Sequence, residues 1–262
     1  VIYNFSQFDK IPVEKKLKIH LKFDTGMKRL GFEPDDIPKL LGKLRKYSNL
    51  HIVSIFSHLA ASNDKTSDNF TKDQIHLFRQ ICNKIEKFLG YKPIKHILNS
   101  SGITRFPEYQ FDMVRLGAGL HGIDTGGTIS QRLIPVHSLK SVISQIKYVK
   151  AGEGIGYGRK CIKDHDRIIA IIPVGYADGL LRQAGNGNFK VWIDGDFVPV
   201  IADVNMDMSF IDITGLSGIK EGDRVEIFGE HAGITDLAKA GNTIFYEILS
   251  RISPRVKRVY FD

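Results

Sequence analysis

The sequence contains few cysteines and a single tryptophan among its 262 residues. Its two cysteines, Cys82 and Cys161, are too few for a disulfide framework and lack the close spacing of a metal-binding motif. We therefore predict no metal site and no disulfide scaffold. Low cysteine usage is typical of proteins in reducing compartments, and we expect a cytoplasmic protein.

Long apolar runs are also missing from the sequence. No segment reaches the roughly 20 residues that a membrane-spanning helix needs, and the first residues lack the basic-then-apolar pattern of a secretion signal. We therefore expect no membrane partner. With 42% hydrophobic and 25% charged residues, the composition is instead typical of a globular protein with enough apolar material for a core.

The chain carries a formal net charge of +8, which raises the question of a nucleic-acid partner. Positive potential attracts phosphates in general. However, the sequence has no zinc-finger spacing, no RNA-binding aromatic motif and no helix-turn-helix signature. We expect small anionic ligands and solvated helix faces rather than nucleic acid, and we keep a phosphate- or RNA-binding β domain as an alternative.

The first half alternates predicted strands with predicted helices. Alternating or continuous apolar residues predict strands at 17–23, 51–57, 94–98 and 111–116. Helical spacing predicts one helix over 37–44, a longer one from Phe70 to Phe88 that ends at Gly90, and a short turn near Ile103. Such alternation favours a parallel sheet, whose ligands bind at the carboxyl ends of the strands.

The second half has short β-rich runs separated by turns. Strands are predicted at 142–149, 168–173, 189–193, 197–201, 210–213, 224–228 and 256–260, and helices near 235–239 and 244–250. The pair Asp194 and Gly195 predicts a tight hairpin. We therefore predict an α/β domain over residues 1–130, followed by an all-β domain over residues 131–262.

Four strand–helix units are too few to close an eight-stranded barrel, because closure fixes strand number and tilt together. An open half-barrel would also expose an apolar sheet edge. The residues Val1 to Asn4 have the pattern of the end of a further strand. The expected first domain is therefore the C-terminal half of an incomplete (β/α)8 barrel, with a missing part before Val1.

Four short strings carry the most specific signal: HLKFDTGMKRLG (20–31), GIGYGR (154–159), VGYADG (174–179) and VNMDM (204–208). In this order, they resemble the bacterial alanine racemases, and the resemblance covers the whole chain. It implies a barrel followed by a β domain, a homodimer with shared active sites, and pyridoxal 5'-phosphate as cofactor. The implied reaction interconverts L- and D-alanine and supplies D-alanine for peptidoglycan precursors.

The resemblance also implies catalytic roles for four residues and a modified lysine that supports one of them. Tyr157 matches the tyrosine that moves the α-proton on one face of the substrate. Arg29 matches the arginine that contacts the substrate carboxylate, a task suited to a planar bidentate fork. Lys22 matches a strand lysine that is often carbamylated and fixes this arginine. His58 matches a residue packed near the cofactor ring, and Arg115 matches the arginine that faces the pyridine nitrogen.

The remaining implied site residues bind the cofactor phosphate or line the substrate pocket. The phosphate site is implied for Ser100, Gly117, Ala118 and Tyr246, and the substrate pocket and its entrance for Met206 and Tyr176. By contrast, Asp203 departs from the small-then-basic pair that usually precedes the methionine string, which puts any role carried over to it in doubt. We interpret His20 and His96 as core or supporting histidines.

The family's cofactor lysine, which lies in an alanine- and glycine-rich string, has no counterpart in the sequence. Lys22 is on a different predicted strand, and Lys39 is on a predicted surface helix. We therefore assign racemisation to the parent enzyme and expect this chain to be inactive alone. The alternative is a non-catalytic dimerising fragment that binds pyridoxal phosphate or phosphate non-covalently. A decarboxylase of the same barrel family is a further alternative, disfavoured by Arg115.

Overall fold

The structure is a computed structural model that describes residues 1–12 and 14–261. The chain divides into two compact units, Val1–Ile134 and Pro135–Asp262, which we call the first and the second unit. The first unit is α/β and the second is all-β apart from two short helices, so the predicted fold class is confirmed. The sequence-based boundary at residues 130 and 131 stays a prediction.

The first unit is built on a three-stranded parallel sheet with the strand order β1-β2-β3. Its elements are β1 (Leu17–Lys22), α1 (Ile37–Leu44), β2 (Leu50–Phe56), α2 (Asp68–Leu89), β3 (Ile94–His96) and α3 (Ser100–Arg105). Ile2 forms an isolated parallel bridge with Leu21, on the opposite side of β1 from β2. This bridge is consistent with the strand-like pattern of the first four residues.

Sequence patterns explain the helix that covers this sheet. The apolar face of α2 buries Ile75, Phe78, Ile81 and Ile85 almost completely. Each such side chain contributes about 1.5–3 kcal/mol to folding through burial. The helix ends at Gly90, which adopts a left-handed conformation with φ 73°, as predicted for a helix C-terminus.

The predicted fourth strand at 111–116 is absent from the structure, and that prediction was wrong. Phe111 has a φ of 53°, which interrupts an extended backbone. The N–H of Lys95 donates to the carboxylate of Asp112 at 2.8 Å instead of to a backbone carbonyl. Two backbone bonds, from the N–H of Asp112 to the carbonyl of Lys95 and from the N–H of Arg115 to the carbonyl of Leu98, tie the segment to the chain around β3.

The second unit contains a seven-stranded sheet with the order β4-β10-β7-β8-β9-β6-β5, whose paired strands are all antiparallel. Its strands are β4 (Leu139–Val142), β5 (Gln145–Val149), β6 (Arg167–Ile172), β7 (Lys190–Ile193), β8 (Asp196–Ile201), β9 (Ser209–Asp212) and β10 (Arg224–Phe228). Two helices follow, α4 (Ile234–Ala240) and α5 (Phe245–Arg251).

The turn between β7 and β8 has the conformation that its two residues predict. Asp194 and Gly195 join β7 to β8 with φ values of 45° and 99°, the left-handed geometry of a tight hairpin. The predicted strand at 142–149 is two strands, β4 and β5. The predicted strand at 256–260 is wrong, because Arg258 instead donates hydrogen bonds to the carbonyls of Ile252, Ser253 and Val256 in a turn.

Short 3-10 helices connect many of these elements. They span Phe5–Lys10, Pro34–Asp36, Lys65–Ser67, Pro107–Tyr109, Ala118–His121, Ser130–Arg132, Tyr157–Arg159 and Arg182–Ala184. Among the described residues, no helix is both long enough and apolar enough to cross a membrane.

Candidate active site

Positively charged side chains gather at one face of the parallel sheet. The Nζ of Lys22, at the end of β1, lies 5.6 Å from the centre of the Phe56 ring, and the Cζ of Arg115 lies 5.5 Å from the same ring. Arg29 is close enough to lower the pKa values of both Lys22 and His58. The structure thus brings together four residues predicted to carry chemistry: Lys22, Arg29, His58 and Arg115.

Arg115 is bound only by neutral partners among the described residues. Its Nη2 donates to the carbonyls of Ser57 at 2.7 Å and Ile97 at 3.1 Å, and to the Nδ1 of His58 at 3.2 Å. Its Nη1 donates to the Nδ1 and the carbonyl of His96. The guanidinium is therefore rigidly held, and its positive charge remains uncompensated by these contacts.

The two histidines beside Arg115 are held neutral. Burial, followed by the charge of Arg115, lowers the pKa of His58 to about 4, and the same two causes lower the pKa of His96 to about 4. A guanidinium has only donors, so the nitrogen that each ring presents to Arg115 must be an acceptor. Both rings are therefore neutral imidazoles near neutral pH.

Lys22 is affected by the same surroundings. Burial lowers its pKa, the charges of Arg29 and Arg115 lower it further, and Asp24 offsets part of this shift. A lowered amine pKa increases the neutral fraction of Lys22, which is the nucleophilic form.

The loop after β1 holds the backbone of Arg29 in place. The carboxylate of Asp24 accepts hydrogen bonds from the N–H of Gly26 at 2.8 Å and of Arg29 at 2.9 Å. Burial acts to raise the pKa of Asp24, but the backbone bonds around the loop leave it lowered overall. Gly31 closes the loop with a φ of 135°, and a Cβ there would lie 2.4 Å from the Asp24 nitrogen.

A group of hydrogen-bond donors lies at the start of α3. The Oγ of Ser100 accepts from the N–H of Gly117 at 2.9 Å and of Gly119 at 3.3 Å. A Cβ at Gly117 would point toward this hydroxyl, at 3.9 Å from it, and Ala118 next to it is fully buried. Because the Oγ of Ser100 accepts from both amides, its own proton remains available to donate to an oxyanion such as a phosphate, and the missing side chain at Gly117 leaves space beside it.

The other predicted site residues belong to the second unit. Tyr157 is exposed in the loop between β5 and β6, and Tyr246 lies on α5 with its ring centre 3.9 Å from that of Phe245. Tyr176 and Met206 are on two loops that touch, since the N–H of Tyr176 donates to the Asn205 carbonyl at 3.0 Å. Their assignment to a site stays a prediction.

The contact between these two loops requires Gly175 and involves an arginine that the sequence analysis missed. A Cβ at Gly175 would lie 2.3 Å from the carbonyl oxygens of Asn205 and Met206. Arg255 bridges the loops, since its Nε donates to Asp178 at 2.7 Å and its Nη2 to Asp207 at 2.6 Å. No sequence signal linked Arg255, 77 positions from Asp178, to these motifs.

Tyr176 also lines a cleft of about 420 Å³ in the second unit. Two arginines, Arg182 and Arg251, contribute to the same wall. Arg182 donates to Asp203 at 3.3 Å, and Asn186 donates to the same carboxylate at 2.9 Å. The departure at Asp203 noted in the sequence therefore introduces an acid that pairs with a cleft arginine.

Family models match almost the whole chain. The model described as "Alanine racemase, N-terminal domain" matches residues 2–125, and "Alanine racemase, C-terminal domain" matches residues 136–260. "Alanine racemase 1" of Clostridium acetobutylicum is 39% identical over 93% of this chain, which spans 65% of that relative. The alanine racemase of Treponema denticola is 35% identical over 100% of this chain, which spans 71% of that protein.

Solved structures agree with the sequence comparisons. The alanine racemase of Clostridium difficile 630 has a TM-score of 0.89 and 33% identity, covering 99% of this chain and 70% of its own. The Bartonella henselae enzyme, solved with covalently bound pyridoxal phosphate, has a TM-score of 0.82 and 29% identity, covering 98% of this chain and 69% of its own. The chain therefore belongs to the alanine racemase family.

Proposed function

We propose that the enzyme to which this chain belongs is an alanine racemase that interconverts L- and D-alanine with pyridoxal 5'-phosphate. Family membership supports the reaction class. The observation that supports this proposal for the chain itself is the environment of Arg115. Its guanidinium is held by neutral partners, among them two neutral histidines. In the cell, the D-alanine would serve peptidoglycan precursors, and we propose a cytoplasmic homodimer with shared active sites.

The residues of the first unit fit the cofactor. Ser100 would donate its hydroxyl proton to the phosphate, Gly117 and Ala118 would leave space beside it, and Arg115 would donate to the ring nitrogen. His58 would pack near the ring. When bound, pyridoxal phosphate withdraws electrons from the α-carbon and so acidifies its proton. Tyr246 stays a sequence-based prediction for the same phosphate.

Arg115 tunes how strongly electrons are withdrawn. A guanidinium cannot give up its proton under ordinary conditions, so it acts only as a donor. A ring nitrogen that faces it is kept from gaining a proton, because two adjacent positive charges repel. The resulting moderate electron withdrawal suits simple inversion at the α-carbon and limits side reactions such as transamination and decarboxylation.

Substrate handling is proposed for a second set of residues. Arg29, whose backbone is fixed by Asp24, would bind the substrate carboxylate. Lys22 would support Arg29, in carbamylated form. Tyr157 would remove or return the α-proton on one face. Met206 and Tyr176 would line the substrate pocket and its entrance.

We propose that this chain alone has little activity, because no lysine in its sequence matches the one that holds the cofactor. The alternative function is a dimerising fragment that binds pyridoxal phosphate or phosphate without catalysis. The converging amides at Ser100 favour this alternative over an RNA-binding role.

The test is to incubate the chain with pyridoxal phosphate, reduce with borohydride and map any adduct by mass spectrometry, while assaying D-alanine formation from L-alanine. We expect non-covalent binding that Ser100→Ala weakens and that Ser6→Ala, an exposed control, does not. One labelled lysine together with D-alanine formation would contradict the proposed inactivity. Tight RNA binding with a steep salt dependence and no cofactor binding would overturn the assignment.

A further inference from the structure

A line of hydrogen bonds runs from the exposed side chain of His20 to Arg115. The Nδ1 of His20 lies 2.7 Å from the Oγ of Ser54, and this oxygen lies 3.3 Å from the Nε2 of His96. On its other side, the His96 ring meets Arg115 through Nδ1. Ser54 and His96 are buried, with exposed fractions of 1% and 5%.

An irregularity in the sheet places these groups in line. The pairing of β1 with β2 shifts between Ile19 and His20, so that Ile19 pairs with Ile52 but His20 pairs with Ser54. Such a shift changes which side chains lie opposite each other across two strands. The His96 ring is fixed in turn by stacking on Phe56, with ring centres 4.9 Å apart and planes 10° apart.

The hydrogen bonds in this line have one direction when the rings are neutral. Arg115 can only donate, so the Nδ1 of His96 accepts and its Nε2 carries the ring proton. That Nε2–H donates to the Oγ of Ser54. The Ser54 hydroxyl is then left to donate to the Nδ1 of His20, which must be an acceptor.

We infer that His20 and Ser54 are positioning residues that, together with the contact from Arg115, fix the ring orientation and tautomer of His96, and that the ring held in this way positions the guanidinium of Arg115. The inference rests on the proposed function, in which Arg115 faces the cofactor. His20 and Ser54 touch neither substrate nor cofactor in this assignment. They act by giving the buried Nε2–H of His96 a partner, and by giving the Ser54 hydroxyl proton an acceptor.

Ser54 is difficult to explain as a packing residue. Its neighbours in β2, Ile52 and Ile55, are buried apolar side chains, and a small apolar residue would fill the position equally well. A buried hydroxyl costs free energy unless its hydrogen bonds are made. Both bonds of this hydroxyl are made only because His20 and His96 lie on either side of it.

The experiment uses the full chain without cofactor, labelled with 15N at histidine and arginine. In the unsubstituted chain, we expect one tautomer of His96 by NMR, with Nε2 protonated, and slow hydrogen exchange at the Arg115 side chain. Ser54→Ala and His20→Leu should each mix the tautomers and speed that exchange about tenfold, the factor expected for one lost hydrogen bond. His20→Asn keeps an acceptor near the Nδ1 position and should restore both signals.

Lys18→Ala, at another exposed position of β1, is the control and should change neither signal. The inference is overturned if Ser54→Ala and His20→Leu leave the His96 tautomer and the Arg115 exchange unchanged. It is equally overturned if His20→Asn behaves like His20→Leu, since the acceptor would then not matter. Because these signals need no cofactor, failure of the inference is distinguishable from failure of cofactor binding.

Discussion

At the scale of single residues, the candidate site of the first unit brings the positive charges of Lys22, Arg29 and Arg115 close to one another. Arg115 donates to carbonyls and imidazoles, and Asp24 uses its carboxylate on the backbone N–H groups of its own loop. Such an arrangement costs stability because like charges repel and burial removes solvation. An anionic ligand with a phosphate or carboxylate would relieve that cost, which is the physical basis of the proposed site.

The neutral histidines make the stability of the chain depend on pH. His58 and His96 have pKa values of about 4 in the folded chain against a usual value of 6.5. As the pH falls from 6.5 to 4, the unfolded chain takes up protons that the folded chain does not, so the free energy of unfolding decreases. Each ring should contribute about 1–2 kcal/mol, reduced by the solvent that still screens it.

Urea unfolding at a series of pH values measures this loss. The double variant His58→Asn and His96→Asn should lose most of the slope in that window, whereas replacing the exposed His165 should not. A slope that persists unchanged in the double variant would show that other groups carry it. Asp24, whose pKa is lowered from its usual 3.8, acts only below the window.

The lowered pKa of Lys22 predicts selective reaction with carbon dioxide. Only the neutral amine attacks carbon dioxide, forming a carbamate and releasing a proton. Lys28, on the loop that follows β1, is a suitable comparison because its hydrogen bond to Glu33 raises its pKa. NMR in 13C-labelled bicarbonate should show a carbamate signal that survives Lys28→Arg and disappears in Lys22→Arg. Equal signals from both variants would exclude Lys22 as the modified residue.

At the scale of elements, two loops of the second unit depend on one arginine. Arg255 binds the buried Asp178 through Nε and the exposed Asp207 through Nη2, and both nitrogens belong to its planar guanidinium. Arg255→Ala should lower the free energy of unfolding, because it leaves the buried carboxylate of Asp178 without its charged partner.

Hydrogen exchange of the Tyr176 and Ala177 amides reports directly on this contact, since they donate to the Asn205 and Met206 carbonyls. Both amides should exchange faster in Arg255→Ala. Arg255→Lys should recover only part of the protection, because the ammonium of lysine lacks the planar fork with which arginine binds two carboxylates at once. Arg258→Ala is the control, and faster exchange there too would indicate general loosening of the C-terminal turn.

Elements with regular patterns could be predicted from the sequence. The sequence predicted the apolar face of α2, its end at Gly90 and the β7–β8 hairpin at Asp194. These features depend on residues close together in the sequence and not on contacts with distant segments. The strands predicted at 111–116 and 256–260 failed because strand formation depends on a neighbour with free backbone groups. Asp112 takes the N–H of Lys95 on β3 with its carboxylate, and Arg258 folds its side chain back onto the carbonyls of Ile252, Ser253 and Val256.

The sequence proposes residues for the candidate site but not the contacts that connect them. The first motif string contains Lys22 and Arg29, the family resemblance indicated Arg115, and the structure brings these three together. The line through Ser54 could not be predicted, because it depends on the register shift after Ile19, which leaves no mark in the sequence. The contacts of Arg255 could not be predicted either, because they join residues that are far apart in the sequence.

At the scale of the whole molecule, each unit has its own hydrophobic core. The buried cluster around Phe78 and Ile85 lies within the first unit, and the cluster around Val191 and Ile227 lies within the second. A cavity in one core should therefore lower mainly the stability of its own unit. A Leu, Ile or Met to Ala change in a core costs about 2–5 kcal/mol, and Val to Ala somewhat less.

The single tryptophan allows this prediction to be tested in the intact chain. Trp192 lies on β7 and stacks on His231, so its fluorescence reports unfolding of the second unit. Val191→Ala should shift the urea midpoint of Trp192 fluorescence, whereas Ile85→Ala should leave it nearly unchanged. Helical circular dichroism, to which the 22-residue α2 contributes most, should respond chiefly to Ile85→Ala. If both variants shift both signals equally, the two units unfold as one cooperative body, and the separate cores do not define separate folding units.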